Sequence, residues 1–256
     1  VIGLFLAAMR FQAQVVRREP DYLMSLVTIP LLTVAFLAIM GNAGRADLAP
    51  YAVMGAALMT IWATALFVSG ELIDADRWEG TLEGVLAAPA PYQVAYLGRI
   101  ATVTVISFLG LVESALIAWL VFGVTFAVPH AGLLVLTLAC TAFSMVGTAS
   151  IMAPLFVLAR SARIFQNSLS YPFYLLGGTV VPVVLLPEWL RPVSNTIFLS
   201  WASDLLRDCL RAEEPVAAPA RLGVIVGLGA LGFGIGHLLT RAVFKRVREN
   251  GSVGFA

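Results

Sequence analysis

Residues that carry covalent or metal chemistry are scarce in this 256-residue sequence: two histidines (His130 and His237), two cysteines (Cys140 and Cys209) and one lysine, Lys245. A phosphate-binding loop needs Gly-Lys followed by Ser or Thr, whereas Lys245 stands between Phe244 and Arg246. The chain therefore carries no Walker-type nucleotide site, and any ATP-driven step belongs to another polypeptide. The lone lysine also excludes a Ser-x-x-Lys nucleophile. Neither histidine lies in a His-Glu-x-x-His pattern, which leaves a zinc site or a Ser-His triad to coincidence. His237 is read as a polar packing residue, and two cysteines make no disulfide framework. What remains is carboxylate chemistry. Glu71, Asp74, Asp76, Glu79 and Glu83 cluster in one polar stretch, and Glu113 stands alone in a long apolar run.

The elements that hold these groups follow from composition. Hydrophobic residues make up 60% of the chain and charged ones 12%, and the mean hydropathy is +0.92. A soluble domain is roughly 25% charged, so this is a polytopic membrane protein. A spanning helix takes ~20 apolar residues. Six apolar runs of that order stand out, at about 23–40, 50–69, 100–123, 132–158, 165–187 and 222–240. In lipid the backbone must satisfy its own hydrogen bonds, so such runs are helices; the ~10-residue alternating segments of a barrel are absent. The longest polar stretches, 71–98 and 188–220, fall below the ~50 residues of a small domain. The expectation is an all-α membrane protein of six transmembrane helices, a single transmembrane domain over 1–256. The net charge of +1 gives no reason to expect nucleic acid. Val1–Met9 lacks the basic start and small-residue cleavage pattern of a cleavable signal peptide.

Basic residues set the orientation. Arg10, Arg17, Arg18, Arg77, Arg99, Arg160, Arg163, Arg241, Lys245, Arg246 and Arg248 fall on one side, and Arg45, Arg191, Arg207, Arg211 and Arg221 on the other. The richer side is expected to be cytoplasmic, with both termini inside. Residues 1–18 place Ile2, Phe5, Leu6, Met9, Ala13 and Val16 beside a strip of Arg10, Gln14, Arg17 and Arg18. That pattern predicts an amphipathic helix lying in the interface plane, against the alternative of a frayed first span.

Between runs two and three, acidic residues crowd the side where arginine dominates. Leu82, Val85 and Leu86 are spaced i, i+3, i+4, Thr81 can cap the start and Pro89 follows the end. Trp78 suits the membrane interface. The spacing predicts a short amphipathic helix along the membrane, able to dock in a groove of a soluble partner; a solvated loop with one helical turn is the plainer alternative. On the opposite side, Trp189, Leu190, Val193, Ile197, Trp201, Leu205 and Leu206 recur mostly at three- and four-residue steps among Arg191, Asp204, Arg207 and Asp208. Two short helices dipping into the outer leaflet are expected, or else a surface loop with an interfacial helix.

Within the spans, run five carries Gln166, Asn167, Ser168, Ser170, Tyr171, Tyr174 and Thr179, with Pro172 and Pro182. Polar side chains in a bilayer face protein or water, and proline kinks or unwinds a helix. Run two has Ala52, Ala56, Thr60 and Thr64 on one strip, and run six has Gly223, Gly227, Gly232 and Gly236; small strips allow close helix approach. Spans two and five are therefore expected to line a pathway near a dimer axis through Thr60, Thr64, Asn167, Tyr171 and Tyr174, with plain helix packing as the alternative. Glu113 lies fourteen residues beyond Arg99, roughly 21 Å up the helix and toward the outer half. It could bind a cationic substrate, carry a proton or hydrogen-bond a neighbouring helix.

Glu79-Gly80-Thr81-Leu82-Glu83, followed by Leu86-Ala87-Ala88-Pro89, resembles the inner-loop signature of the type-2 ABC exporter permeases. Arg17-Arg18-Glu19-Pro20 leading into a run with Pro30 is similar to that family's interfacial helix and opening span. Gly177-Gly178, Val181-Pro182 and Leu186-Pro187-Glu188-Trp189-Leu190 resemble its end of span five; Phe198-Leu199-Ser200 departs where the family commonly has a proline. The resemblance implies that Glu79, Gly80, Thr81, Leu82, Glu83 and Leu86 form a cytoplasmic coupling helix against an ATPase. It also implies that outer re-entrant helices between spans five and six form a gate with Pro187, Trp189, Leu190 and Trp201. By that resemblance the chain is the permease subunit of an exporter, itself no enzyme and without cofactor. Two separate ABC ATPase subunits bind ATP and Mg, and a second copy or a homologous permease completes the pathway. The substrate is amphipathic, lipid-like or drug-like, and moves outward from the cytoplasm or inner leaflet of a bacterial cytoplasmic membrane. An ATPase-independent transporter or channel using Glu113 is the alternative; the poverty of His, Lys and Cys argues against an intramembrane enzyme.

Overall fold

The computed structural model describes residues 2–18, 24–44, 49–80, 84, 92–124, 127–158 and 162–250, without side chains at some helical positions, 24–30 and Asn167 among them. The described elements are helical, apart from turns: α1 (Ile2–Arg18), α2 (Met24–Asn42), α3 (Ala49–Trp78), α4 (Tyr92–Ser107), α5 (Leu109–Phe122), α6 (Ala131–Leu158), α7 (Ala162–Leu176), α8 (Arg191–Ser194), α9 (Phe198–Asp208) and α10 (Ala218–Asn250). A 3-10 turn covers Val183–Leu185.

Four helical segments among the described residues are long and apolar enough to cross a bilayer: Ala49–Leu72, Tyr92–Phe122, Ala131–Phe156 and Ala218–Val243. Six were expected. Runs one and five are the two that fall short: α2 yields a described apolar stretch of only Leu31–Asn42, and α7 has fifteen residues. The reason at α7 is a backbone break. The helix stops at Leu176, although the apolar run continues to 187, because Gly178 adopts a left-handed φ of +68° and turns the chain away. Run three differs too. Its helix starts at Tyr92 instead of about 100, and it is interrupted at Phe108. The described residues show no coupling helix: Thr81, Leu82, Glu83 and Leu86 lie outside them.

α3 is the centre of the fold. It packs against α2, α4, α5, α6, α7 and α9, and Ala56, Ala57, Leu58, Ile61 and Trp62 along it are fully or almost fully buried. Small residues let so many neighbours approach one helix. α6 and α10 form the most extensive pair. Their seam is Gly147 against Gly229 and Gly232, and Ser150 against Gly236, close enough that a Cβ at any of these glycines would clash. The sequence strip Gly223, Gly227, Gly232, Gly236 is thus half right. Gly223 and Gly227 face open space, and the packed row is Gly229, Gly232, Gly236. Ser144 of α6 completes the seam by donating to Ile225 O at 2.7 Å.

Several hydroxyls inside the bundle are satisfied by their own helices. Thr137, Thr141, Ser144 and Thr148 each donate to the carbonyl four residues back, which lets a threonine sit in apolar surroundings without an orphaned donor. One hydroxyl pair crosses between helices: buried Thr33 of α2 donates to buried Ser114 of α5 at 3.0 Å.

The seam generates a contrast. Gly147→Leu and Gly236→Leu should each lower the thermal unfolding midpoint of the detergent-purified protein by several degrees. Gly223→Leu, whose Cβ meets nothing within 4 Å, should leave it within about a degree. Differential scanning fluorimetry of the three variants measures the difference.

Candidate functional site

Two polar assemblies lie at opposite ends of α3. The first is built on the break after α7. A helix end leaves carbonyls without intrahelical partners, and in an apolar setting each needs a donor. Here the donors come from residues that follow. Thr179 Oγ1 donates to Tyr174 O at 2.9 Å, Ser194 Oγ to Leu176 O, and Ser203 Oγ to Gly177 O at 2.9 Å. Arg207 supplies the last two bonds: its Nη2 donates to Gly178 O and, at 3.2 Å, to Thr179 O. Ser200 donates to Ser194 O at 2.8 Å, and Arg191 to Leu186 O and Val184 O at 3.0 and 2.9 Å. α8 and α9 are thereby fastened to the broken end. The turn into α9 is made by an extended Ile197 and by Ser200 bonding back, in a place where a proline was the family expectation.

Arg207 is buried, with its Nη1 3.2 Å from Asp204 Oδ1. Burial pulls the guanidinium down from its ordinary range, and Asp204 opposes that. Burial also pushes the Asp204 carboxyl up, with Arg207 and Arg221 pulling the other way. A second layer of pairs lies outward: Arg221 with Asp208, Arg211 with Asp208 at 3.6 Å, and Arg211 donating to the Tyr51 hydroxyl at the start of α3 at 3.2 Å. The chain spends its charges here on holding α9 to α3 and α10.

Alongside this end, α3 and α7 run antiparallel. Gln166, fully buried, donates to Leu66 O at 3.1 Å and Phe67 O at 2.7 Å. Trp62 stacks on Phe173 with ring centroids 4.4 Å apart, and a Cβ at Gly55 would lie 2.6 Å from Thr179 O. Thr60 and Thr64 are therefore buried between helices instead of lining an open surface; Thr60 bonds its own helix at Ala56 O. Tyr171 is 75% exposed on α7, and Tyr174, edge-on to it at 6.4 Å, is half-buried. The side chain of Asn167 lies outside the described residues. Pro187 and Trp189 are exposed, Leu190 and Trp201 half-buried, and Trp201 Nε1 donates to Asn195 O at 2.9 Å. Glu113 is half-exposed on α5 and has no hydrogen-bond or ion-pair partner among the described residues.

The second assembly is at the arginine-rich end, where the charges themselves are its one signal in the sequence. Arg99 Nη1 of α4 donates to both carboxylate oxygens of Asp76 of α3, at 3.0 and 3.1 Å, and Arg99 Nε donates to Gln12 Oε1 of α1 at 3.1 Å. Its guanidinium also sits over Phe11, 5.5 Å from the ring centroid. α1 lies against α4 so closely that a Cβ at Gly98 would be 2.6 Å from Phe5 O, and Thr102 donates to Met9 O at 3.2 Å. Ala8, Gln12 and Val16 form the buried face of α1, leaving Ile2, Leu6 and Phe11 outward. Beyond Asp76, Trp78, Glu79 and Gly80 are exposed, and Gly80 has φ +66°. His237 Nδ1 is 2.8 Å from Gln93 Oε1, and Gln93 donates to Ser150 at 3.0 Å, so the histidine is engaged in helix packing. Among the described residues no group of His, Cys, Asp and Glu could hold a metal, and both cysteines are free.

A profile of the family described as ABC-2 type transporter matches residues 3–210, from α1 through α9. The chain belongs to that family. Its members are non-catalytic permease subunits that associate with ABC ATPase subunits, so this ABC-2 chain is the membrane part of a transporter. The match takes in the arginine-rich assembly of the permease and the Arg207 contacts, and stops short of Arg211 and Arg221. No curated protein matches the chain.

The Arg207 contacts give a stability prediction. Arg207→Ala strips donors from two buried carbonyls and leaves Asp204 unpaired, and it should destabilise the permease by about 3 kcal/mol. Arg207→Lys should fall between, because a lysine keeps the charge and loses the fork. Equilibrium unfolding in mixed detergent micelles reads the order wild type, Lys, Ala.

Proposed function

We propose that this permease is the six-span membrane half of an ATP-driven exporter in a bacterial cytoplasmic membrane. Two ABC ATPase subunits dock on its arginine-rich side, and a second permease, identical or homologous, completes the pathway. The observation that carries the reading is the family match spanning α1 to α9. The charge asymmetry supports placing the arginine-rich end, and both termini, in the cytoplasm. The exposed turn at Glu79 and Gly80 after α3 is consistent with a docking loop, which continues as the coupling segment Thr81, Leu82, Glu83 and Leu86.

In this reading α2 and α7 are spans one and five. α7 is shorter than a full span because α8 and α9 fold back into the outer leaflet and finish its hydrogen bonding. Trp189 and Pro187, exposed beside that fold, and Leu190 and Trp201 behind them, form the outer gate. The face of α7 that carries Tyr171 and Tyr174 is turned to the pathway and to the second permease, and Asn167 is the further pathway residue of the same helix. Thr60 and Thr64 join the pathway when α3 and α7 part. ATP enters as differential binding to two states of the assembly, and an amphipathic, lipid-like or drug-like substrate passes outward. Glu113, half-exposed on α5, is the group on which an ATPase-independent mechanism would have to rest.

The decisive experiment is co-purification with a candidate ABC ATPase subunit co-expressed with the permease. The wild-type chain should retain the ATPase through affinity purification, and the double charge reversal Glu79→Lys/Glu83→Lys should lose most of it. Equal retention by the reversed variant would remove the coupling assignment. Glu113→Gln should leave ATP-dependent transport unchanged in rate and pH dependence; a loss of transport would favour the second reading.

A further inference from the structure

The 79–91 connection leaves from the last turn of α3 and returns at the start of α4, and the Arg99–Asp76 ion pair ties those two helices close to it. Asp76 stands two residues before the end of α3 and Arg99 seven residues after Tyr92 opens α4. Their side chains are only 12% and 15% exposed. The guanidinium is shared: Nη1 holds the carboxylate while Nε holds the amide oxygen of fully buried Gln12 on α1. One arginine of α4 thus bonds both the preceding helix α3 and the distant α1. The close approach of Gly98 to the α1 backbone and the Thr102 to Met9 bond lie on either side of it.

We propose that Asp76, Arg99 and Gln12 form a clamp that makes α1 and the two ends of the 79–91 connection move as one body, so that a push on the connection is delivered to α1. The inference rests on the reading of that connection as the ATPase contact, and it adds where the motion goes next. The chemistry favours arginine for the task. A lysine could keep the ion pair, but a single ammonium cannot direct a second, fixed donor at Gln12. Gln12 itself contributes through its oxygen only, since its Nε2 is buried and has no hydrogen-bond partner. Asp76, Arg99 and Gln12 are therefore positioning residues. They touch no substrate and act through the geometry of the helices they join.

A pair that only stabilised the fold would change the unfolding midpoint and nothing else, so the test reads motion. The assembled complex with its ABC ATPase is purified in a Cys140→Ala/Cys209→Ala background. Spin labels are placed at Gln14 on exposed α1 and at Leu238 on exposed α10, and their separation is measured by pulsed electron resonance with and without ATP and vanadate. In the parent complex, trapping should change the separation. Gln12→Leu and Arg99→Lys should keep ATPase retention and hydrolysis, and at least halve that change. A parent complex with no change at α1, or variants with the full parental change, would overturn the clamp. Loss of ATPase from the parent complex would instead defeat the docking reading, and the clamp with it. Where either variant fails to assemble, the exchange Asp76→Arg/Arg99→Asp decides. A Gln12 amide turned about presents its Nε2 to the new carboxylate, so the parental change should return; its absence counts against the proposal.

Discussion

A carbonyl in an apolar environment has to find a donor, and the break in α7 creates several at once. Most of what distinguishes this fold follows from that constraint. α7 stops at Leu176, and Thr179, Ser194, Ser203 and Arg207 then supply hydrogens to the carbonyls from Tyr174 to Thr179. The stretch 188–210 is therefore not a surface loop that tolerates rearrangement. It is the remainder of the hydrogen bonding of a helix that ended early, which explains why so short a segment buries Leu199, Ala202, Leu205 and Leu206 completely. Placing an arginine there costs desolvation of a charge, offset by two carbonyls and Asp204. Gly178 is required twice over: its φ of +68° disfavours a side chain, and a Cβ would meet Ser203 Oγ at 2.8 Å.

The same accounting explains where charge can stand in so apolar a chain. From Gly55, packed on Thr179, to Asp76, paired with Arg99, α3 advances roughly 31 Å at ~1.5 Å per residue. That matches the ~30 Å of a bilayer's hydrocarbon core. Both charged assemblies thus sit at the two limits of an apolar slab, bridged by one helix. Between them much of the polarity is hydroxyls bonded within their own helices, together with Gln166, whose amide is fixed on two α3 carbonyls. Motion at one end of α3 has few ways to dissipate before reaching the other, because six helices grip it along its length.

Hydropathy located the helices and misjudged their ends. The run at 132–158 became Ala131–Leu158, and residues 1–18 became an amphipathic helix over Ile2–Arg18, since both are set by periodicity and length. The short helices of 188–220 were legible for the same reason. Run five was drawn ten residues too long because Val180, Val181 and Val183–Leu186 are as apolar outside a helix as in one; the signal was the Gly177-Gly178 pair, which a hydropathy window averages away. Run three was started late because α4 opens with the polar residues Gln93 and Arg99. The Gly229, Gly232, Gly236 seam was missed because a strip chosen by spacing alone has no partner to select it. Thr60 and Thr64 were assigned to a pathway on residue type, which does not foretell that packing buries both.

The least legible feature is the one that organises the arginine-rich end. Asp76 and Arg99 entered the sequence reading as an acid out of place and as one basic residue in a topology count. Neither use says that they face each other across a connection whose middle lies between them in sequence, nor that Gln12, from the far N-terminal side, joins them. Pairing of that kind depends on the crossing of α1, α3 and α4, and the crossing is set by Gly98, a residue whose only role is to be small. The charge cluster and the glycine are therefore one design. Without the close approach of α1 the Nε of Arg99 would lose its Gln12 acceptor, and without the arginine the acid at the end of α3 would lose the two hydrogen bonds that join it to α4.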